Sequence, residues 1–508
     1  MASFTERYHE LTKYNPHTID KLGTVRWDSQ PPTFKSIHAQ EKVDLLSRIQ
    51  AVMDQLQSGE NLAAITSPAS PASPASPGSP ADTTDAKNAS SLENIAKLLF
   101  FTLGLTARFT DQGGGDFFLR AAPSAGGLYP TEIYIAARNQ NGLADGIYHY
   151  HSLKSALIPV WQGKFWADLN HYFLNQPQVE ASNLIFIFTG IYGRSAWRYK
   201  ERAYRRILLD TGHAVGNLLE VCRASQLDYS LLGGFQDQGL EELLFLTSKE
   251  EFPLLAVAIG PAGSLPTDLG QYPSAFPADA IKQIQSDDSM QVQQNACERI
   301  LATGTARPIV GSEVILNDHK TFSPGFEIDI FKTILNRRSC RKFDGSGVTL
   351  LQLKENLAYA FRDQGHGWSL SQSALDFHVV ALNVVDAQNG IYHFHPTSFN
   401  LELQTAGDFK YEALFMCLGQ ELAIDCAFIL VHTANLSTLV NTYGDRGYRY
   451  ACLDAGQIGE RMNLFSIKQG LGSSGIGGYY DDKVNELLGL PLTHGILYIS
   501  LVGVPEKE

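Results

Sequence analysis

One offset of 244 residues relates the two halves of this 508-residue chain. Asp145-Gly-Ile-Tyr-His-Tyr-His151 recurs as Asn389-Gly-Ile-Tyr-His-Phe-His395, and Arg202-Ala-Tyr-Arg-Arg-Ile-Leu-Leu-Asp210 recurs as Arg446-Gly-Tyr-Arg-Tyr-Ala-Cys-Leu-Asp454. Gly233-Gly-Phe235 returns as Gly477-Gly-Tyr479. Three segments in one register indicate a fused duplication. The period is far too long for a solenoid and matches a whole domain of ordinary size.

The copies have diverged in opposite ways. Arg120-Ala-Ala-Pro-Ser-Ala-Gly-Gly-Leu-Tyr-Pro130 stands opposite Gly367-Trp-Ser-Leu-Ser-Gln-Ser-Ala374, where Trp368 and Leu370 replace small residues and exclude a close backbone approach. Conversely, Arg337-Arg-Ser-Cys-Arg-Lys-Phe343 opens the second copy, while Ser/Pro/Ala low complexity fills the comparable stretch of the first. Each copy keeps half of something. A site once shared between two chains can in this way become one composite site within one polypeptide, the reciprocal site being lost.

Composition is ordinary for a globular protein, at 44% hydrophobic and 18% charged residues. The net charge of −13 argues against a nucleic-acid partner, which needs a basic surface. Six cysteines (Cys222, Cys297, Cys340, Cys417, Cys426 and Cys452) show no Cys-x-x-Cys spacing, so neither a zinc framework nor a disulfide framework is expected. The amino terminus has no basic segment followed by an apolar one, and no run of about 18 apolar residues occurs. A cytoplasmic protein without a membrane span is the expectation.

Residues 1–40 read as an ordered arm, 41–265 as a first domain, 266–325 as a polar linker and 326–508 as a second domain. The Ser-Pro-Ala repeat within 67–90 has too many prolines for a helix or central strand, so an exposed, mobile loop is expected there. Periodicity predicts helices over 91–105 and 203–225 in the first copy, and over 350–362 and 448–469 in the second. Strands are predicted at 132–138, 146–151, 183–189 and 254–259, then at 376–383, 390–395, 427–433 and 496–503. The fold class is α+β, in two similar domains.

Three segments are candidates for chemistry. The guanidiniums of Arg337, Arg338 and Arg341 around Ser339 offer forked donors to a phosphate, although a solvated basic turn has the same composition. Pro123-Ser-Ala-Gly-Gly-Leu-Tyr-Pro130 suits close approach to a flat ligand, or a plain tight turn. Gly472-Ser-Ser-Gly-Ile-Gly-Gly-Tyr-Tyr480 is a third glycine-rich stretch. The pairs His149/His151 and His393/His395 have strand spacing on one face, but their Gly-Ile-Tyr setting reads as structural, so no metal is expected. His213 reads as a core histidine, and Cys340 as a small filler between ligands.

Taken together, the Arg-Arg-Ser-x-Arg-x-Phe opening, the Pro-Ser-Ala-Gly-Gly-x-Tyr-Pro strand entry, the Gly-Ile-Tyr-His-Tyr element and the Tyr-Arg-x-x-x-x-Asp-x-Gly-His helix resemble the nitroreductase superfamily of flavin enzymes. The branch most similar is the SagB-type or thiazole-oxidase dehydrogenases, whose amino-terminal Tyr-His-x-x-Thr-Lys-Tyr pattern is also present. The resemblance implies two α+β domains, each a mainly antiparallel sheet flanked by helices, packed as an intrachain pseudo-dimer with FMN at their interface. It implies that Arg337, Arg338, Ser339 and Arg341 hold FMN from the second domain, and that Pro123, Ser124, Ala125, Gly126 and Gly127 complete the site from the first. Gly475, Ile476, Gly477 and Gly478 correspond to the segment near the flavin N5 edge. One FMN per chain follows, in a monomeric pseudo-dimer or a homodimer of it.

The chain departs from the resemblance twice. Typical nitroreductases place basic residues after the last strand, whereas this chain ends Gly-Val-Pro-Glu-Lys507-Glu, which leaves Arg446 or Arg449 as alternative phosphate ligands. Where azoline oxidases carry a Lys-Tyr pair, it has Arg198-Tyr199. Arginine is a poor general base, whereas Tyr199 can donate a proton or orient a carbonyl. The expected function is an FMN-dependent oxidoreductase for a small molecule or peptide, with NAD(P)H or oxygen as second redox partner. Two alternatives stand beside it: an azoline-to-azole dehydrogenase on a ribosomal peptide, and a flavin- or peptide-binding scaffold without turnover.

Overall fold

The computed structural model describes residues 3–17, 19, 25, 27–36, 41–58, 92–110, 115–247, 249–260, 312–315, 328–362 and 374–507. The expected loop at 67–90, Trp368, Leu370 and most of the 266–325 linker lie outside these residues.

The duplication is visible as two seven-stranded antiparallel sheets with one strand order. The first runs Val43–Asp44, Ala156–Gln162, Gly146–His151, Thr131–Ala137, Leu184–Ile191, Glu251–Ile259 and Tyr229–Leu232. The second runs Ser312–Ile315, Asn400–Ala406, Gly390–His395, Leu375–Ala381, Phe428–Asn435, His494–Gly503 and Gly472–Ile476. Its outermost strand, Ser312–Ile315, falls inside the stretch expected to link the domains and pairs with Asn400–Ala406.

Each copy contributes one long helix, Ala203–Ala224 and Arg446–Lys468. Nearly all their residues are buried, polar ones included, because one face packs on the helix's own sheet and the other on its counterpart. Two glycines at equivalent positions allow this. A Cβ on Gly212 would stand 2.3 Å from the Leu453 carbonyl oxygen, and one on Gly456 would stand 2.4 Å from that of Leu209. The helices touch backbone to backbone where only glycine fits.

The interface repeats itself on either side of that crossing. Arg202 Nη1 and Arg205 Nη2 reach across to Asp481 Oδ2 and Oδ1 at 2.6 and 2.7 Å. Arg446 Nη2 and Arg449 Nη1 reach the other way to Asp237 Oδ2 and Oδ1 at 2.6 and 2.8 Å. Every partner is one repeat away from its equivalent, so the two domains pack as a pseudo-dimer with an isologous interface. Burial opposes the Asp481 charge, yet Arg202 and Arg205 outweigh it and hold the carboxyl below its usual range.

The arm fastens both copies. Thr5 N donates to Asp445 Oδ1 at 2.8 Å, and Lys13 Nζ pairs with Asp482 at 2.8 Å. Tyr8 donates its hydroxyl to the Glu201 carbonyl at 2.7 Å. Further on, the carbonyls of Pro32 and Thr33 accept from Arg194 and Arg120 of the first domain. No helix among the described residues is long and apolar enough to cross a membrane.

Candidate functional site between the two copies

The loop Pro123–Gly127 is anchored to the first long helix through one carboxylate. Ser124 Oγ donates to Asp210 Oδ2 at 2.5 Å and accepts from Tyr129 N at 2.8 Å, while Ala125 N donates to Asp210 Oδ1 at 3.1 Å. Gly126 and Gly127 then take left-handed backbone, with φ of 65° and 67°, which L side chains resist. The loop therefore turns its backbone outward at Gly126. A Cβ there would lie 2.8 Å from the Tyr199 hydroxyl and 3.0 Å from Arg198 Nη1, so the two sequence-predicted catalytic candidates stand against the predicted binding loop.

Arg206 joins this loop to the second domain. Its guanidinium carbon lies 4.9 Å from the Tyr199 ring centroid, and its Nη1 occupies the place that a Cβ on Gly477 would take. Gly475 gives similar room to the Tyr498 hydroxyl. His213 fixes that hydroxyl. Its Nδ1 lies 2.8 Å from the Leu209 carbonyl and donates to it, leaving Nε2 to accept from Tyr498 at 3.0 Å. Burial lowers His213 to about 4 and raises the Tyr498 phenol, so imidazole and phenol both stay neutral at ordinary pH.

The basic turn follows the helix Ile330–Asn336, which Asp329 caps by accepting from Lys332 N. It is held against the edge strand Gly472–Ile476 by Cys340 N donating to the Ser473 carbonyl at 2.9 Å. Arg337 is buried and points into the first domain, its Nε donating to the Ala121 carbonyl at 2.9 Å. Arg338 Nη1 turns back to the carbonyls of Leu335 and Arg337, Ser339 is half-buried, and Arg341 is exposed. Ile476 is in the apolar core, whereas Gly475, Gly477 and Gly478 retain exposure. The structure thus brings all three predicted segments to one seam between the copies. Arg446 and Arg449 are committed to Asp237 instead, which removes them as substitutes for a phosphate ligand.

Sequence reasoning missed Arg206, Asp210, the His213–Tyr498 pair and Glu460. A signal was present for some of them: at the equivalent positions of the other copy, Arg206 becomes Tyr450 and Glu460 is Gly216. Glu460 is fully buried, with no hydrogen bond on either oxygen and Arg337 Nε 3.8 Å away. Burial pushes it up to about 8 and Asp210 up to about 7, with Arg337 and Arg206 only partly opposing.

The seam accordingly carries more cationic than anionic character. Arg198, Arg206, Arg337, Arg338 and Arg341 outnumber Asp210 and Glu460, whose carboxyls resist ionising, and Arg337 Nη1 and Arg206 Nε are buried without hydrogen-bond partners. Such a donor set fits a flavin mononucleotide, whose phosphate brings negative charge and acceptor oxygens.

Glu460 makes a pH prediction. A folded-state pKa near 8 against roughly 4.3 unfolded means that the native state keeps a proton that the unfolded chain releases. Ligand-free stability should therefore fall as pH rises between about 4 and about 8, by roughly a few kcal/mol from this group. Glu460→Gln should flatten that fall in urea melts; an unchanged pH slope would mean that the carboxyl is ionised in the fold.

Comparison with known proteins agrees with this architecture. The Nitroreductase family profile matches residues 86–261 and 334–504, one match in each copy, and the chain belongs to that family. A nitroreductase-type crystal structure from Anabaena variabilis superposes over 100% of both chains, with a TM-score of 0.79 and 29% identity. The nitroreductase-type protein MJ1384 of Methanocaldococcus jannaschii is 28% identical over 169 residues, covering 32% of this chain and 85% of its own. The microcin B17-processing protein McbC of Escherichia coli is 25% identical over 152 residues, 28% of this chain and 54% of McbC. The chain is a nitroreductase-like oxidoreductase of tandem, two-domain form.

Proposed function

We propose that this protein is an FMN-dependent oxidoreductase with a single composite site at the seam between its copies, acting on a small molecule or peptide with NAD(P)H or oxygen as second partner. The observation that carries this is the meeting of Pro123–Gly127, Arg337–Arg341 and Gly475–Gly478 around Arg206, beside unpartnered buried guanidinium nitrogens. Arg338 and Arg341 would take the phosphate, Arg337 and Ser339 the polar chain, and the backbones of Pro123–Gly127 and Gly475–Gly478 the ring. FMN, when bound, supplies hydride acceptance and donation.

The chain's own groups divide the remaining work. Asp210 fixes the loop through Ser124 and Ala125, so the ring's seat is set before binding. Tyr199 is held as a protonated phenol, since burial raises it more than Arg206 and Arg198 lower it. It can donate a proton to substrate or orient a carbonyl, and Arg198 beside it can hold an anionic group. Tyr199→Phe should keep FMN and lower kcat by about 100-fold or more if the phenol transfers a proton in the slow step. Rapid anaerobic bleaching of the bound flavin by NADPH is the expected result for the wild type. Bound flavin that neither NADH nor NADPH reduces would instead favour a scaffold.

The likeness to McbC favours a second reading, dehydrogenation of azolines in a ribosomal peptide. Arg198 counts against it, because a fixed cation cannot accept the substrate proton. Arg198→Lys should then create azoline oxidation absent from the wild type; activity already present in the wild type would establish the second reading directly.

A further inference from the structure

The second sheet carries a cluster for which the flavin site has no use. Asp376 and His378 lie on Leu375–Ala381, His393 and His395 on Gly390–His395, and Glu402 on Asn400–Ala406. Residues two apart on a strand share a face, and the register sets His378 opposite His393 and His393 opposite Glu402. All five side chains therefore share one face of the sheet. His393 Nε2 lies 2.5 Å from Asp376 Oδ1, His378 Nε2 3.5 Å from Asp376 Oδ2, and His395 Nε2 3.3 Å from Glu402 Oε2. One ligand atom from each of Asp376, His378 and His393 falls within 4.8 Å of the others.

The first copy shows what the same face looks like when it is closed. Its equivalents are Glu132, Tyr134, His149, His151 and Ile158. There Arg194 Nη1 meets Glu132 Oε1 at 2.5 Å, His149 Nε2 meets Glu132 Oε2 at 2.8 Å, and Lys35 meets the Tyr134 hydroxyl and Glu251. Protein cations neutralise its carboxylates. In the second copy Arg194 is replaced by Thr438 and Glu251 by Gly495, while Tyr134 has become His378 and Ile158 has become Glu402. The arginine is gone and two groups able to ligate a metal have appeared. His378 is 5% exposed, its Nδ1 makes no hydrogen bond and its Nε2 meets only Asp376 Oδ2, at a long 3.5 Å, a cost that a buried imidazole normally avoids.

We propose that Asp376, His378 and His393 bind one divalent cation of the zinc class, with water in the fourth position and His395 and Glu402 at its side. Two imidazoles and a carboxylate are ligands that this class accepts, and three protein ligands leave the site open. Tetrahedral binding at about 2.1 Å spaces ligand atoms about 3.4 Å apart. His378 Nε2 lies 3.5 Å from Asp376 Oδ2 and His393 Nε2 lies 2.5 Å from Asp376 Oδ1, so one carboxylate oxygen serves both imidazoles once the carboxylate turns and the direct His393 hydrogen bond opens by about 1 Å. Asp376 and His393 keep side-chain exposures of 38% and 25%, which gives the ion and its water a path. For the second copy this site departs from the expectation of no metal drawn from the Gly-Ile-Tyr setting of the His-x-His pairs, because register adds His378 and Asp376 to His393.

The test uses the full-length protein stripped with EDTA and titrated with zinc by calorimetry, then with cobalt by visible absorption. Saturation at one ion per chain is expected, with the d–d bands of a low-coordinate cobalt site. His378→Tyr, which restores the residue of the first copy, and His393→Ala should each weaken binding by about 10–100-fold or more while retaining the wild-type circular dichroism spectrum. His149→Ala in the first copy should change nothing, and His395→Ala should keep the stoichiometry. No saturable binding by the wild type, or wild-type affinity in both His378→Tyr and His393→Ala, would overturn the assignment; so would loss of the site in His395→Ala alone. Flavin content, read on the same samples, should not follow the metal.

Discussion

Asp481→Ala is expected to cost about 3–5 kcal/mol of stability, the scale for removing one partner from a buried ion pair. Asp481 is the only carboxylate that meets Arg202 and Arg205 in the described residues, both guanidiniums are 2% exposed, and removing it strands two buried cations. The loss should also fall on the arm, since Tyr14 N donates to the same carboxylate and the Thr12 carbonyl accepts from Arg202. Equilibrium urea unfolding reads the cost, and Asp237→Ala should reproduce most of it at the pseudo-symmetric position. The exposed Arg108–Asp116 pair is the contrast: Asp116→Ala should leave stability unchanged, because solvent screens such a pair. Equal effects at Asp116 and Asp481 would mean that the buried networks do not hold the copies together.

Gly212→Val should be the most damaging single change at the crossing of the long helices. A first side-chain carbon there would stand 2.3 Å from the Leu453 carbonyl oxygen and 2.9 Å from the Gly456 Cα. Both obstacles are backbone, so no rotamer change relieves them and the helices must separate. Overpacking usually costs about 1–3 kcal/mol, and here the gain in helix propensity on going from glycine to β-branched valine, roughly 0.3–0.5 kcal/mol, is too small to offset it. Because Asp210 and Glu460 stand on the two helices so displaced, flavin retention should be lost along with stability. Gly193→Ala, on a helix where an added Cβ meets nothing within 4 Å, should cost nothing. Thermal melts and flavin absorbance on both variants distinguish a local clash from a general intolerance of substitution.

Much of the architecture could be read from the sequence because the repeat did the counting. Once Gly146–His151 and Gly390–His395 were aligned, the strands and long helices of one copy supported those of the other, and most of their bounds agree with the structure within a few residues. The strand Ala156–Gln162 gave no clear signal, since Pro159 sits in it at a register shift, a position where proline is tolerated. Gly472–Ile476 was hidden for a different reason: its glycines read as a loop, whereas it is an edge strand that admits Tyr498 and Cys340 against its backbone.

The candidate site was legible as segments and not as contacts. Motifs located the glycine loop, the arginine turn and the Arg198–Tyr199 pair. Nothing local could show that Arg206 crosses to Gly477, or that His213 meets Tyr498 from 285 positions away. The same limit hid the histidine cluster, because His393 and His395 gain Asp376, His378 and Glu402 only through strand register. What the two copies could show was loss and gain. Every group given a special role here, apart from the helix-crossing glycines and the two buried ion networks, is one that the other copy changed or lacks, or that partners one so changed.

The central claim is that two copies make one composite flavin site, and the most direct measurement is FMN bound per chain in the purified, reconstituted protein. One FMN per chain, released by both Ser124→Trp in the first copy and Arg338→Ala in the second, is the predicted result. Two per chain, or one that survives either substitution, would contradict it.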